Sequence, residues 1–257
     1  MESRPPIVST RRQLLTLVAV AASPGPLFGH PPRRIRAIAF DGFVLFSPQT
    51  IVKRAREVAG EKGDALVSAA SGMLFGYTWY YTSARKYAGF DELAEDAFKS
   101  AAQSLGLNLS NTDLEQLVEG YSNLELWPDV PGALQTLRRH NVRLAMLSNL
   151  SERALMSNLR TNGVDEHFEF VLSTDAARQY KPSPKAYDLA VRAFKISKSE
   201  IGFAASASWD ASGATWFGFP SIWVNRNGLP AEQAHAVPTV ISSGMDGVLR
   251  LSGLQTL

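Results

Sequence analysis

The spacing of apolar positions changes twice along the chain. Residues 35–40 are almost continuously apolar and stop at Asp41, which is the pattern of a short buried strand. Between residues 50 and 126 the period becomes helical, most plainly over 90–105, where apolar side chains recur every three or four positions. Trp127-Pro128-Asp129-Val130-Pro131-Gly132 interrupts that pattern, since proline cannot continue a helix already under way, and a new helix is predicted over 132–140. Beyond it the chain alternates. Strands are predicted over 142–147, 168–173, 201–205 and 221–224, with helices over 152–161, 184–194 and 211–217 between them.

Apolar strands alternating with helices imply a parallel sheet covered on both faces. The expected fold class is therefore α/β. A Rossmann-like parallel sheet core, residues 33–49 and 127–257, carries an inserted helical cap subdomain over 50–126. In such sheets ligands gather beyond the carboxyl ends of the strands, so the chemistry is sought there.

Composition narrows the picture by exclusion. With 257 residues, 45% of them hydrophobic, the chain can bury a core and an inserted subdomain. Its net charge is only +2, and Arg4, Arg11, Arg12, Arg33, Arg34 and Arg36 all precede Ala37. The remaining body is near neutral, and no basic stripe suggests a nucleic-acid partner. There is no cysteine, which removes disulfides, thiolate nucleophiles and cysteine-bound zinc. His30, His140, His167 and His235 show no metal-ligand spacing and read as solvated surface. No Gly-x-Ser-x-Gly elbow follows a strand, so a serine hydrolase is not indicated.

The first 32 residues read as a signal and linker. Ser9-Thr10-Arg11-Arg12-Gln13 leads into an apolar run over 14–22, and prolines and glycines follow over 25–32. Paired arginines before a short apolar segment resemble a twin-arginine export signal, which places the mature protein in the periplasm. The run is too short for a stable membrane anchor. The alternative is a basic leader of no consequence on a cytoplasmic protein.

Four strand ends carry the candidate chemistry: Asp41, then Ser148-Asn149, then Lys181, then Trp209-Asp210. Singly, each has an ordinary explanation, because Asp, Ser and Asn are common turn and cap residues. In this order they bring a carboxylate, a hydroxyl, an ammonium and a second carboxylate to the end of the sheet where a site is expected. Ile38-Ala39-Phe40-Asp41-Gly42-Phe43, Leu147-Ser148-Asn149, Tyr180-Lys181-Pro182 and Ser208-Trp209-Asp210 resemble the four motifs of the haloacid dehalogenase superfamily. Tyr77-Thr78-Trp79, Gly218-Phe219-Pro220 and Trp223-Val224-Asn225-Arg226 are similar to the type II, L-2-haloacid dehalogenase branch.

The resemblance implies a hydrolytic dehalogenase whose partners are a small 2-haloacid substrate and water. No cofactor is implied. Asp41 attacks the halogen-bearing carbon, and water hydrolyses the resulting ester to a 2-hydroxy acid. Lys181 keeps Asp41 in its carboxylate form, and Asp210 activates the water. Ser148 hydrogen-bonds to Asp41 or to the substrate carboxylate. Asn149, Phe90 and Trp209 line the halide side, while Tyr187 supports Lys181. Phe43 stands where superfamily phosphatases carry a second aspartate, and Asp210 has no adjacent carboxylate, so no metal is implied. The aromatic cluster Phe75, Tyr77, Trp79, Tyr80 and Tyr81 reads as cap core or as the interface of a homodimer, the usual state in this branch.

This chain departs from the family pattern at four polar positions. They hold Leu45, Ser71, Ala205 and Ala207, with Ser71 standing where the family has an arginine that meets halide or carboxylate. Three readings stay open: a dehalogenase with a roomier, less polar pocket, a hydrolase of another substrate such as a phosphate ester, and a non-catalytic binding relative.

Overall fold

The computed structural model describes residues 34–233 and 236–254. The expected export signal lies outside these residues, as do His30 and His235. Strand β1 (Ala37–Phe40) is followed by a one-turn helix α1 (Gly42–Leu45) and the two-residue strand β2 (Phe46–Ser47). Four helices come next: α2 (Gln49–Ala59), α3 (Gly63–Ser83), α4 (Phe90–Ser104) and α5 (Asn111–Glu119). Strand β3 (Glu125–Leu126) then pairs antiparallel with β2, and the Trp127 N–H donates to the Leu45 carbonyl at 2.9 Å. The way into the helical insertion and the way out of it are thus tied together.

The remainder alternates as α6 (Val130–Arg139), β4 (Arg143–Ser148), α7 (Glu152–Thr161), β5 (Phe170–Ser173), α8 (Pro184–Phe194), β6 (Ile201–Ala205), α9 (Ser208–Phe217), β7 (Ser221–Val224), β8 (Val240–Ser242) and α10 (Asp246–Leu251). Six strands form one parallel sheet in the order β5-β4-β1-β6-β7-β8. The chain leaves β1 toward β4 and β5, then crosses back to β6 on the other side. The order reverses at β1, which opens a crevice beyond its carboxyl end.

Side chains of β1 alternate between two buried layers. Ile38 and Phe40 join the layer shared with the inserted helices, while Ala37 and Ala39 join the layer against α8 and α9. In α4 the buried residues Phe90, Leu93, Ala94, Ala97, Phe98, Ala101 and Ala102 form a single stripe at helical spacing. Full burial of each Leu or Phe contributes about 1.5–3 kcal/mol, which gives the insertion a firm seat. Polar ties add direction: Arg153 of α7 pairs with Asp91 and Glu119, and the Tyr180 hydroxyl donates to the Ala88 carbonyl at 2.8 Å.

Three differences from the sequence expectation have physical causes. Strands β2 and β3 are only two residues long, too short for an alternating pattern. Strand β8 lies at the sheet edge, partly exposed, and shows no apolar run. Helix α9 begins at Ser208 rather than Ala211, so Trp209 and Asp210 belong to its first turn and not to a loop.

Candidate active site

Asp41 ends β1 and caps α1. Its Oδ2 accepts the Phe43 N–H at 3.2 Å and the Ser206 hydroxyl at 2.7 Å, while Oδ1 accepts the Lys181 ammonium at 2.8 Å. Three donors on two oxygens fix the carboxylate in one orientation. The residue is 7% exposed, so a ligand can reach it while bulk water does not surround it. Gly42 permits this layout: a Cβ there would stand 3.1 Å from both the Ser148 hydroxyl and a Leu150 methyl.

Lys181 lies between two carboxylates. Besides Asp41 it donates to Asp210 Oδ2 at 2.6 Å and to the Leu147 carbonyl at 3.3 Å, which uses all three N–H groups. Burial alone would lower its pKa, but Asp210 and then Asp41 outweigh that and hold the ammonium above its usual range. Asp210 is the less well compensated acid. Burial pushes it up to about 6, with Asp41 adding to the rise while Lys181 and Tyr187 pull the other way. One cation shared by two buried acids cannot fully neutralise both.

Tyr187 corrects an expectation. It is fully buried and its hydroxyl donates to Asp210 Oδ1 at 2.7 Å, so it supports Asp210 and not Lys181, and it does not line the pocket. Gly213 of α9 makes room for it, since a Cβ there would lie 2.5 Å from the Tyr187 hydroxyl oxygen. Of the two partners expected for Ser148, Asp41 or a substrate carboxylate, the first is corrected. Its hydroxyl accepts the Leu150 N–H at 3.3 Å, and the hydroxyl that meets Asp41 is that of Ser206. Sequence reasoning missed Ser206. The available signal was its place between Ala205 and Ala207, just after β6, where a side chain turns toward the end of β1.

A cavity of about 360 Å³ opens over Asp41. Phe43, Phe90, Ser148, Asn149, Lys181, Trp209 and Asp210 line it, and Ser71 of α3 joins them from an exposed position. The Asn149 side-chain oxygen accepts the backbone N–H of Lys181 at 3.0 Å and the Thr174 hydroxyl at 3.3 Å, which leaves its amide N–H groups as the free donors. Of the four departures from the family pattern, Ser71 and Ala207 border the cavity, whereas Leu45 and Ala205 are buried in the core. His167 is only half-exposed, with its Nδ1 buried and without a hydrogen bond, which corrects its reading as solvated surface. Burial, then Arg138, lowers its pKa. Among the described residues no group of three or more His, Asp or Glu side chains is placed to hold a metal ion. None of the helices among them is long and apolar enough to cross a membrane.

Ser206 should matter to any reaction that uses Asp41 as a nucleophile. A hydrogen bond to a charged group is worth about 1.5–3 kcal/mol, so Ser206→Ala should lower kcat/KM about tenfold to a hundredfold. A variant within twofold of the parent, at equal Tm, would remove Ser206 from the site.

Known proteins resemble this chain over most of its length. A family model described as haloacid dehalogenase-like hydrolase matches residues 44–218. An (S)-2-haloacid dehalogenase of Pseudomonas sp. (strain YL) is 32% identical over 84% of this chain and 94% of its own. Haloacetate dehalogenase H-2 of Moraxella sp. (strain B) is 33% identical over 85% of this chain and 98% of its own. The crystal structure of an L-2-haloacid dehalogenase superposes with a TM-score of 0.83 at 34% identity, covering 86% of this chain and 100% of that one. With a buried carboxylate at the end of its first strand, a lysine shared by two acids and a helical insertion over the pocket, this chain belongs to the haloacid dehalogenase-like hydrolase family.

Proposed function

We propose that the protein is a hydrolytic dehalogenase of 2-haloacids, acting through an ester on Asp41. The observation that carries this reading is the state of Asp41 itself. It is a carboxylate held by three donors at the foot of a largely apolar cavity, with Phe43 rather than an acid two residues on. A neutral carbon electrophile suits that wall better than a hydrated phosphate dianion.

In the first step an Asp41 oxygen forms a bond to C2, and the electrons of the carbon–halogen bond leave with the halide. Asp210 then takes a proton from water as the water attacks the ester carbonyl. The tetrahedral intermediate collapses, the acid's hydroxyl oxygen takes up that proton from Asp210, and the second proton of the water is released to solvent as Asp41 returns to its carboxylate. Whichever Asp41 oxygen carries the ester, the other keeps a donor: Lys181 on one side, or Ser206 and the Phe43 N–H on the other. That donor stabilises the developing oxyanion.

Halide release from a panel of 2-haloacids, assayed beside phosphate release with and without magnesium, tests the reading. Halide without added metal is expected, and magnesium-dependent phosphate release in its place would sink it. The pH profile should carry the mark of the shared lysine. Asp210 acts in ester hydrolysis, after halide has left, so its ionisation governs kcat where hydrolysis limits turnover. In the ester the Asp41 charge is gone, which removes one cause of the raised Asp210 pKa, so kcat should fall with pH only below about 6. An acid limb of kcat above that value would contradict the coupling of the two acids.

Export through the twin-arginine pattern belongs to the same reading, supported by Arg11, Arg12 and the apolar run after them. Replacing both arginines with lysine should leave precursor in the cytoplasm, and equal shortened periplasmic protein from both forms would refute export. A homodimer is supported by Trp79 and Tyr80, which are 40% and 53% exposed on α3 beside other aromatic rings.

A further inference from the structure

We infer that the pocket is built for 2-haloacids with an extended apolar group at C2, not for the smallest acids; this rests on the dehalogenase reading above. The first ground is size. The cavity of about 360 Å³ falls in the range of ~300–1,000 Å³ that encloses drug-sized ligands, far more than a three-carbon acid fills. The second ground is the character of the walls. On the side of the inserted helices they are mostly apolar, with Ile51, Val67, Leu74, Phe75, Phe90 and Tyr121 beside the hydroxyl residues Ser71 and Thr78.

The third ground is charge. Among the described residues that line the cavity, the cations are Lys181 and Arg226; the Lys181 ammonium and both terminal nitrogens of Arg226 already hold protein acceptors, and the Arg226 Nε, which has none, is buried away from solvent. Lys181 spends its three N–H groups on Asp41, Asp210 and the Leu147 carbonyl. Arg226 grips Asp129 at 2.9 and 3.1 Å, donates to the Val44 carbonyl at 3.0 Å and lies 4.8 Å from the centre of the Trp127 ring. A substrate carboxylate therefore meets neutral donors such as the Asn149 amide, and Ser71 offers only a hydroxyl from an exposed position. The carboxylate contributes little affinity, and the apolar substituent supplies what the cations do not.

Burying a methylene favours binding by about fourfold, so kcat/KM should climb along a series from 2-bromopropionate through 2-bromobutanoate to 2-bromohexanoate. The hexanoate is expected to exceed the propionate by at least about tenfold. Val67→Phe, a half-buried position on α3, fills part of the cavity and should cut the hexanoate-to-propionate ratio about tenfold, with Tm verifying the fold. A flat series, or one that falls with length, overturns the inference while leaving dehalogenation standing. So does a long-chain preference undiminished in a folded Val67→Phe. Halide release from none of the acids overturns the dehalogenase reading, and this inference falls with it.

Discussion

Asp41→Asn should abolish halide release while leaving the protein folded. An amide oxygen is a very poor nucleophile and cannot form the ester, and removing a covalent nucleophile costs at least about 10⁴-fold in kcat. The fold should tolerate the change. Asparagine keeps the shape, its oxygen still accepts from Lys181 or Ser206, and Lys181 retains Asp210 at 2.6 Å. Removing the Asp41 charge also removes one cause of the raised Asp210 pKa, so Asp210 should titrate below about 6 in this variant. Halide release near the parent rate, in freshly purified protein whose mass excludes deamidation, would show that Asp41 is not the nucleophile.

Lys181→Met should damage both activity and stability. Lys181 is 1% exposed and is the common partner of Asp41 and Asp210. Methionine keeps the length and the apolar stem but leaves two buried carboxylates without a cation. Breaking a buried ion pair from one side typically costs about 3–5 kcal/mol, because the partner charge stays behind uncompensated. The turnover loss should be about 10²–10³-fold, the scale for removing one preorganised electrostatic contact. Thermal unfolding and halide release, the latter measured well below Tm, separate the two effects. Because uncompensated acids are relieved by protonation, the stability deficit should shrink as pH falls toward 5. A deficit independent of pH would mean that lost packing, and not charge, accounts for it.

The alternation of strands and helices and the position of every strand end bearing chemistry were legible in the chain. Each rests on local physics: apolar runs of strand length, helical spacing, and prolines at the breaks. Asp41, Lys181 and Asp210 could be named because nucleophile, lysine and second acid follow one another at the ends of successive strands. The hydrogen-bond partners could not. Tyr187 reaches Asp210 only because α8 and α9 pack side by side, with Gly213 allowing contact. Ser206 reaches Asp41 only because β6 lies beside β1, with Ala204 paired to Phe40.

By itself, then, the sequence determined the period of each element, the residue types at the strand ends and the family they resemble. The tertiary structure decided which oxygen meets which donor, which acid bears the raised pKa, and which departures face the pocket. Leu45 and Ala205 look in sequence like lost pocket groups, yet both are buried in the core, while Ser71 and Ala207 border the cavity. The reason is the range of the forces involved. Periodicity is set by the backbone over a few residues. A hydrogen bond at 2.7 Å or a buried ion pair needs groups far apart in sequence brought within a fraction of an ångström, which only packing of the whole sheet and its helices achieves.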